Sequence, residues 1–170
     1  MKMRISKLKL VLLMAMSLFG LWASGMVVFT YYTTGSYSKL PFCSSSQGPG
    51  IVVDCAKVLG SSYSRVFGIP LELFAVVYFI VNLVLVYLVA FGGDSVFRRS
   101  LTVLFGWRFI GLIIVPYLVA VELFILQAIC IYCTIMHLAI VLDFIIISYF
   151  LFYKRNSLFA VVESGPGQAP

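Results

Sequence analysis

The 170-residue chain is 62% hydrophobic and only 11% charged, with a mean hydropathy of +1.10, which leaves too few polar side chains to cover a water-facing surface. The same balance excludes intrinsic disorder, which needs low hydrophobicity and high charge. Its net charge of +6 does not point to nucleic acid, because the Lys and Arg residues sit in short gaps between apolar runs rather than along one solvated face.

A single polytopic membrane domain over 1–153 is expected, followed by a flexible tail, 154–170. The first apolar run, 10–32, follows Lys2, Arg4, Lys7 and Lys9 and has the ~20 residues that a bilayer core requires. Ala23, Ser24 and Gly25 resemble a signal-cleavage site, but the run continues through Met26, Val27, Val28 and Phe29, so an uncleaved anchor is the expectation. Segment 33–69 is polar and broken by Gly35, Pro41, Gly48, Pro49 and Gly50; within it, Ala56 to Leu59 reads as a short interfacial helix. The second run, 70–91, opens on Pro70, a residue suited to a first helical turn, and ends at Gly92-Gly93-Asp94. A third run, 101–126, carries Pro116, where the missing N–H predicts a kink. The fourth, 129–153, closes on Lys154 and Arg155.

Four spans place Lys2, Arg4, Lys7, Lys9, Arg98, Arg99, Lys154 and Arg155 on one side, against Lys39, Lys57 and Arg65 on the other. The positive-inside rule then puts both termini in the cytoplasm. Cys43, Cys55, Cys130 and Cys133 consequently face the exterior, where disulfide chemistry is permitted.

Cys130-Ile131-Tyr132-Cys133 is a C-x-x-C motif at the start of the fourth span. A helix N-terminus stabilises a thiolate, the nucleophile of thiol–disulfide exchange, so the position favours redox chemistry. Half of a zinc site and a structural bridge are the competing readings, and a disulfide closing so small a loop stabilises little. Cys43 and Cys55, separated by a Ser- and Gly-rich loop, suit either a staple or a redox pair. Taken together, the two pairs suggest a relay: a solvated pair meets a soluble partner, and a pair at the membrane surface meets a lipid-soluble electron carrier.

His137 follows Cys133 by four residues and Cys130 by seven, so all three are expected on one helical face, with His137 a candidate for a carrier headgroup. An imidazole bonded to a neighbouring helix is the structural alternative. Glu122, Asp143 and Arg108 are further ionisable residues inside spans, and Arg108 and Asp143 are expected to pair as a tie between helices. Nucleotide-binding, zinc-protease and serine-hydrolase motifs are absent from the sequence.

Cys43, the segment Cys55-Ala-Lys-Val-Leu-Gly-Ser61-Ser62-Tyr63-Ser64-Arg65-Val66-Phe67-Gly68-Ile69-Pro70 and Cys130-Ile-Tyr-Cys133, in that order, closely resemble bacterial homologues of vitamin K epoxide reductase. The resemblance covers about residues 10–153. It implies an all-α integral membrane protein, a four-transmembrane-helix bundle around a quinone, with an external cysteine-bearing loop between helices 1 and 2. It implies further that Cys130 and Cys133 form the active-site disulfide, with Cys133 nearer the quinone. Cys55 then exchanges with Cys130, and Cys43 with a soluble partner. Ser61 matches the family's Ser/Thr near the active centre, with Ser62 close beside it, and His137 falls on the quinone side of the pocket. The loop cysteines are more widely spaced than in many relatives. Many relatives also carry a fused thioredoxin-like domain that this chain is too short to include.

These implications lead to a quinone-dependent thiol oxidase of the bacterial inner membrane. It is expected to use ubiquinone or menaquinone, to reoxidise a separate DsbA-like thioredoxin-fold protein on the periplasmic or exterior side, and to bind no metal and no nucleic acid. Alternatives are a vitamin K epoxide or quinone reductase with the same relay, and a non-enzymatic disulfide-stapled or metal-binding membrane protein.

Overall fold

The computed structural model describes residues 7–43, 51–91 and 94–163. Four helices are long and apolar enough to cross a membrane: Leu8–Thr34, Leu71–Phe91, Arg99–Leu126 and Ile131–Tyr149. They belong to α1 (Lys7–Thr34), α3 (Leu71–Phe91), α4 (Asp94–Ala120) with its π-helical extension Val121–Leu126, and α5 (Ile131–Glu163). Consecutive spans run antiparallel. Helix α1 packs on α3 and α5, and α4 packs on the same two, so the bundle is a ring with α1 and α4 at opposite corners.

Three layers fill the ring. At the cysteine end, Ala23 and Val27 of α1 meet Phe79 of α3 and Met136 and Ala139 of α5. At the other end, Leu13, Val86, Leu104 and Ile147 form a second apolar layer. Between them each helix contributes one polar side chain: Ser17, Asn82, Arg108 and Asp143, all buried. The Arg108 guanidinium reaches Asp143 Oδ2 at 3.4 Å and donates to Asn82 Oδ1 at 3.0 Å. Asn82 Nδ2 donates in turn to Asp143 Oδ2 at 2.8 Å and to Ser17 Oγ at 2.7 Å. The tie expected between Arg108 and Asp143 is present, and it extends to all four spans. In hydrocarbon these groups have no water to turn to, which is why the polar atoms converge.

The loop between α1 and α3 holds β1 (Val52–Val53), α2 (Cys55–Leu59), and a hairpin of β2 (Arg65–Val66) and β3 (Ile69–Pro70). Phe67 and Gly68, with φ of 53° and 81°, form the hairpin's turn, a pair of positive values that matches a type I′ geometry. Pro70 is the last residue of this hairpin, opposite Arg65, rather than the first turn of the second span. The expected interfacial helix is α2, one residue longer at its start. Helix α4 continues through Pro116, and its irregularity lies downstream in the π-helical segment. Of the expected tail, 154–163 continues α5, which runs to Glu163 with no Gly or Pro to break it, and 164–170 lie outside the described residues.

Candidate redox site

Strand pairing brings the two cysteine segments together. Strand β4 (Ala128–Ile129), in the short turn between the third and fourth spans, pairs in parallel with β1, Val52 opposite Ala128 and Val53 opposite Ile129. The Asp54 N–H donates to the Ile129 carbonyl at 3.1 Å, and the Asp54 side chain accepts from the Lys57 N–H at 2.9 Å, capping α2. Cys55 therefore begins α2 at the same level at which Cys130 caps α5, whose Thr134 N–H and Oγ1 both donate to the Cys130 carbonyl.

Cys43 and Cys55 are disulfide-bonded, while Cys130 and Cys133 are buried free thiols. The sulfurs of Cys43, Cys55 and Cys130 all lie within 4.8 Å of one another. A thiol is thus held against a disulfide it can exchange with. Three clustered sulfurs are also a metal-site pattern, but two of them are joined in the disulfide and are not thiolate ligands in this form. A hydrogen bond from the Cys133 side chain is the main influence drawing the Cys130 thiol below its ordinary pKa, helped by the backbone N–H groups of Cys133 and Tyr132 and opposed by burial. This is the helix-start effect expected from the motif's position.

Cys133 lies on the other side of the motif, in the wall of a cavity of about 320 Å³ between α3, α4, α5 and the loop. The lining is almost wholly apolar, with the Tyr78 and Trp107 rings stacked 5.6 Å apart on one side. Phe74, Val77, Ile110 and Ile114 line it too and are exposed on the bundle's outer surface, so the cavity opens sideways between α3 and α4. Volume, apolar lining and a membrane-facing opening fit a quinone ring with its isoprenoid tail leaving toward lipid.

Ser61 and His137 line the same cavity, whereas Ser62 is exposed and does not. Ser61 Oγ donates to the Val58 carbonyl at 2.8 Å. The face expected to carry Cys130, Cys133 and His137 is divided: Cys133 and His137 meet the cavity, and Cys130 meets the loop disulfide. This division separates the two sulfurs by task.

Two carboxylates complete the lining. Glu122, 6% exposed, sits on the π-helical segment and lines the cavity together with Cys133. Glu72, 3% exposed, accepts from the Tyr37 hydroxyl. Burial and this bond raise the Tyr37 phenol well above its usual range. Tyr37 stacks on Tyr31 and begins the short 3-10 helix Tyr37–Lys39 that leads to Cys43. Sequence reasoning had no role for Glu72 or Tyr37. The available signal was that Glu72 is the single acidic residue of its span.

The family model described as the vitamin K epoxide reductase family matches residues 11–148. The chain belongs to this family. No curated protein matches the chain closely enough to stand beside it as a relative. Family membership makes the protein a membrane oxidoreductase of disulfide chemistry, linked in general to quinones. The matched segment contains all four cysteines, Ser61, His137 and both cavity carboxylates.

Proposed function

We propose that the protein is a thiol oxidase that takes electrons from a separate thioredoxin-fold disulfide-forming protein and delivers them to a membrane quinone. The observation that carries this reading is the placement of one C-x-x-C sulfur, Cys130, against the loop disulfide, while the other, Cys133, lines the apolar cavity.

A thiolate of the reduced partner attacks Cys43, breaking the Cys43–Cys55 bond and freeing Cys55. The second partner thiol then attacks the mixed disulfide, leaving the partner oxidised and both loop cysteines reduced. Cys55 next attacks the oxidised C-x-x-C centre at Cys130, forming a Cys55–Cys130 bond and releasing Cys133. Attack by Cys43 on Cys55 restores the loop disulfide and frees Cys130. The state described above, with the loop oxidised and Cys130 and Cys133 reduced, corresponds to the end of this exchange. A bound quinone supplies a two-electron, two-proton acceptor for the dithiol. Cys133, His137 and Ser61 would hold its polar ring, Tyr78 and Trp107 would stack beside it, and the apolar wall would exclude water. For a two-electron couple a ~30 mV advantage at each acceptor corresponds to about 1.4 kcal/mol, so small steps drive the relay.

In this reading the cysteine end faces the periplasm or exterior and both termini face the cytoplasm, as the distribution of Lys and Arg suggests. The test is quinone reduction by purified protein with a reduced thioredoxin-fold donor. Single replacement of Cys130 or Cys133 by Ala should abolish turnover with the helical fold retained. Unchanged turnover in either variant removes the relay, and turnover of a vitamin K epoxide in place of quinone assigns the reductase alternative.

A further inference from the structure

We propose that Glu122 accepts the proton of the Cys133 thiol when the C-x-x-C centre is oxidised. This inference deepens the reading above and rests on it only for the identity of the final acceptor.

The backbone is built irregularly at this place. Helix α4 gives way to a π-helical turn over Val121–Leu126, which ends at Gln127 in the left-handed conformation, φ 49°. The Gln127 N–H donates to the Glu122 carbonyl, closing the turn. Such widened turns inside otherwise regular helices are often found at functional sites. Here the widened turn leads directly into β4 and Cys130, and Glu122 on this turn lines the same cavity as Cys133.

A carboxylate with no role in chemistry is costly to bury in hydrocarbon, and among the described residues no Lys or Arg lines this one's cavity. The titratable groups that share its surroundings are Cys130 at the cap of α5, Cys133 and His137 from α5, Glu72 and Tyr78 from α3, and Tyr63 from the loop. Glu72 Oε1 is engaged by the Tyr37 hydroxyl, on the way to Cys43, whereas Glu122 lies on the turn that leads into the C-x-x-C motif. It shares with Cys133 the wall of the cavity into which the electrons pass, the place an acid–base group for this step must occupy.

With Cys130 present as thiolate and Cys133 as thiol, the Cys133 S–H bond breaks and an O–H bond forms on Glu122, leaving the electron pair on sulfur. Formation of the Cys130–Cys133 bond releases two electrons to the quinone acceptor. The proton on Glu122 passes to that acceptor, a second proton comes from water, and Glu122 returns to its starting form.

The readout uses quinone-free protein with Cys43 and Cys55 both changed to Ser, so that only the C-x-x-C centre is redox-active. Infrared difference spectra are taken between the dithiol and the form oxidised by diamide. With no quinone to take it, the proton stays on Glu122 in the oxidised form, so a protonated-carboxyl stretch that appears on oxidation and is lost in Glu122→Gln is the expected result. An unchanged carboxyl region, or the same change in Glu122→Gln, overturns the proposal. Gln keeps the size of the side chain but takes no proton, so in the full relay Glu122→Gln should lower quinone-linked kcat by about 100-fold or more with KM little altered, and Glu122→Asp should restore part of it. If the wild type shows the carboxyl change but reduces no quinone, the proton step stands and the acceptor reading falls.

Discussion

The Tyr132 hydroxyl donates to the Pro41 carbonyl at 3.0 Å, so a residue inside the C-x-x-C motif holds the chain two positions before Cys43. The motif and the loop disulfide are therefore connected on both sides: through β1 and β4 near Cys55, and through Tyr132 near Cys43. Removing the hydroxyl in Tyr132→Phe should loosen only the Cys43 side. A net hydrogen bond of this kind contributes about 1 kcal/mol, which corresponds to a rise of about fivefold in the rate at which a soluble dithiol reduces Cys43–Cys55. Reduction kinetics followed by thiol trapping, with helicity unchanged in circular dichroism, provide the measurement.

The lowered Cys130 thiol has a consequence in pH. A thiol whose pKa is depressed keeps its thiolate at lower pH, so in reduced Cys43→Ser/Cys55→Ser protein the alkylation of Cys130 should reach half its plateau below pH ~8.5, the value of a free thiol. The hydrogen bond from Cys133 is the leading cause of the shift. Cys133→Ala should consequently move the midpoint upward, which mass spectrometry of the alkylated peptide across a pH series would detect. A midpoint that stays in place would transfer the effect to the backbone N–H groups at the start of α5.

Arg108 and Asp143 are both buried, and the guanidinium also holds Asn82. Taking away one charge leaves the other without its partner in a layer that water does not reach. Arg108→Leu alone should cost about 3–5 kcal/mol of stability, and the double change Arg108→Leu/Asp143→Leu much less than the sum of the two single changes. A double-mutant cycle of unfolding in detergent measures the difference.

Gly20 marks the close approach of α1 to α3. A Cβ built there would lie 2.1 Å from the Phe79 ring, which is itself fully buried. Gly20→Ala should force the helices apart or drive the ring off its rotamer, at about 1–3 kcal/mol. Recovery in Gly20→Ala/Phe79→Leu, read as thermal stability, would locate the strain in that contact.

Much of the architecture is legible from hydropathy. A bilayer core sets a minimum apolar length, and the four spans fall close to the runs that meet it, starting a few residues earlier at Leu8 and Arg99 because flanking basic residues continue the helix. The C-x-x-C motif announces its chemistry because the spacing itself is the signal. The partnership of Arg108 with Asp143 is also legible, since two opposite charges inside spans have few alternatives. Asn82 and Ser17 are not: neutral polar residues occur in many spans, and only packing reveals that these two reach the ion pair.

The amino-acid sequence alone determined that this protein lies in a membrane, crosses it four times and carries two cysteine pairs of unlike spacing, because those properties depend on composition and local order along the chain. The tertiary structure decided which sulfur meets which partner. Two-residue pairing between β1 and β4 sets Cys130 against Cys43 and Cys55, and the widened turn after α4 sets Glu122 in the cavity wall that Cys133 also lines. Both depend on contacts between segments more than 70 residues apart or on a departure from helical periodicity, and neither leaves a pattern that a reading along the chain can detect.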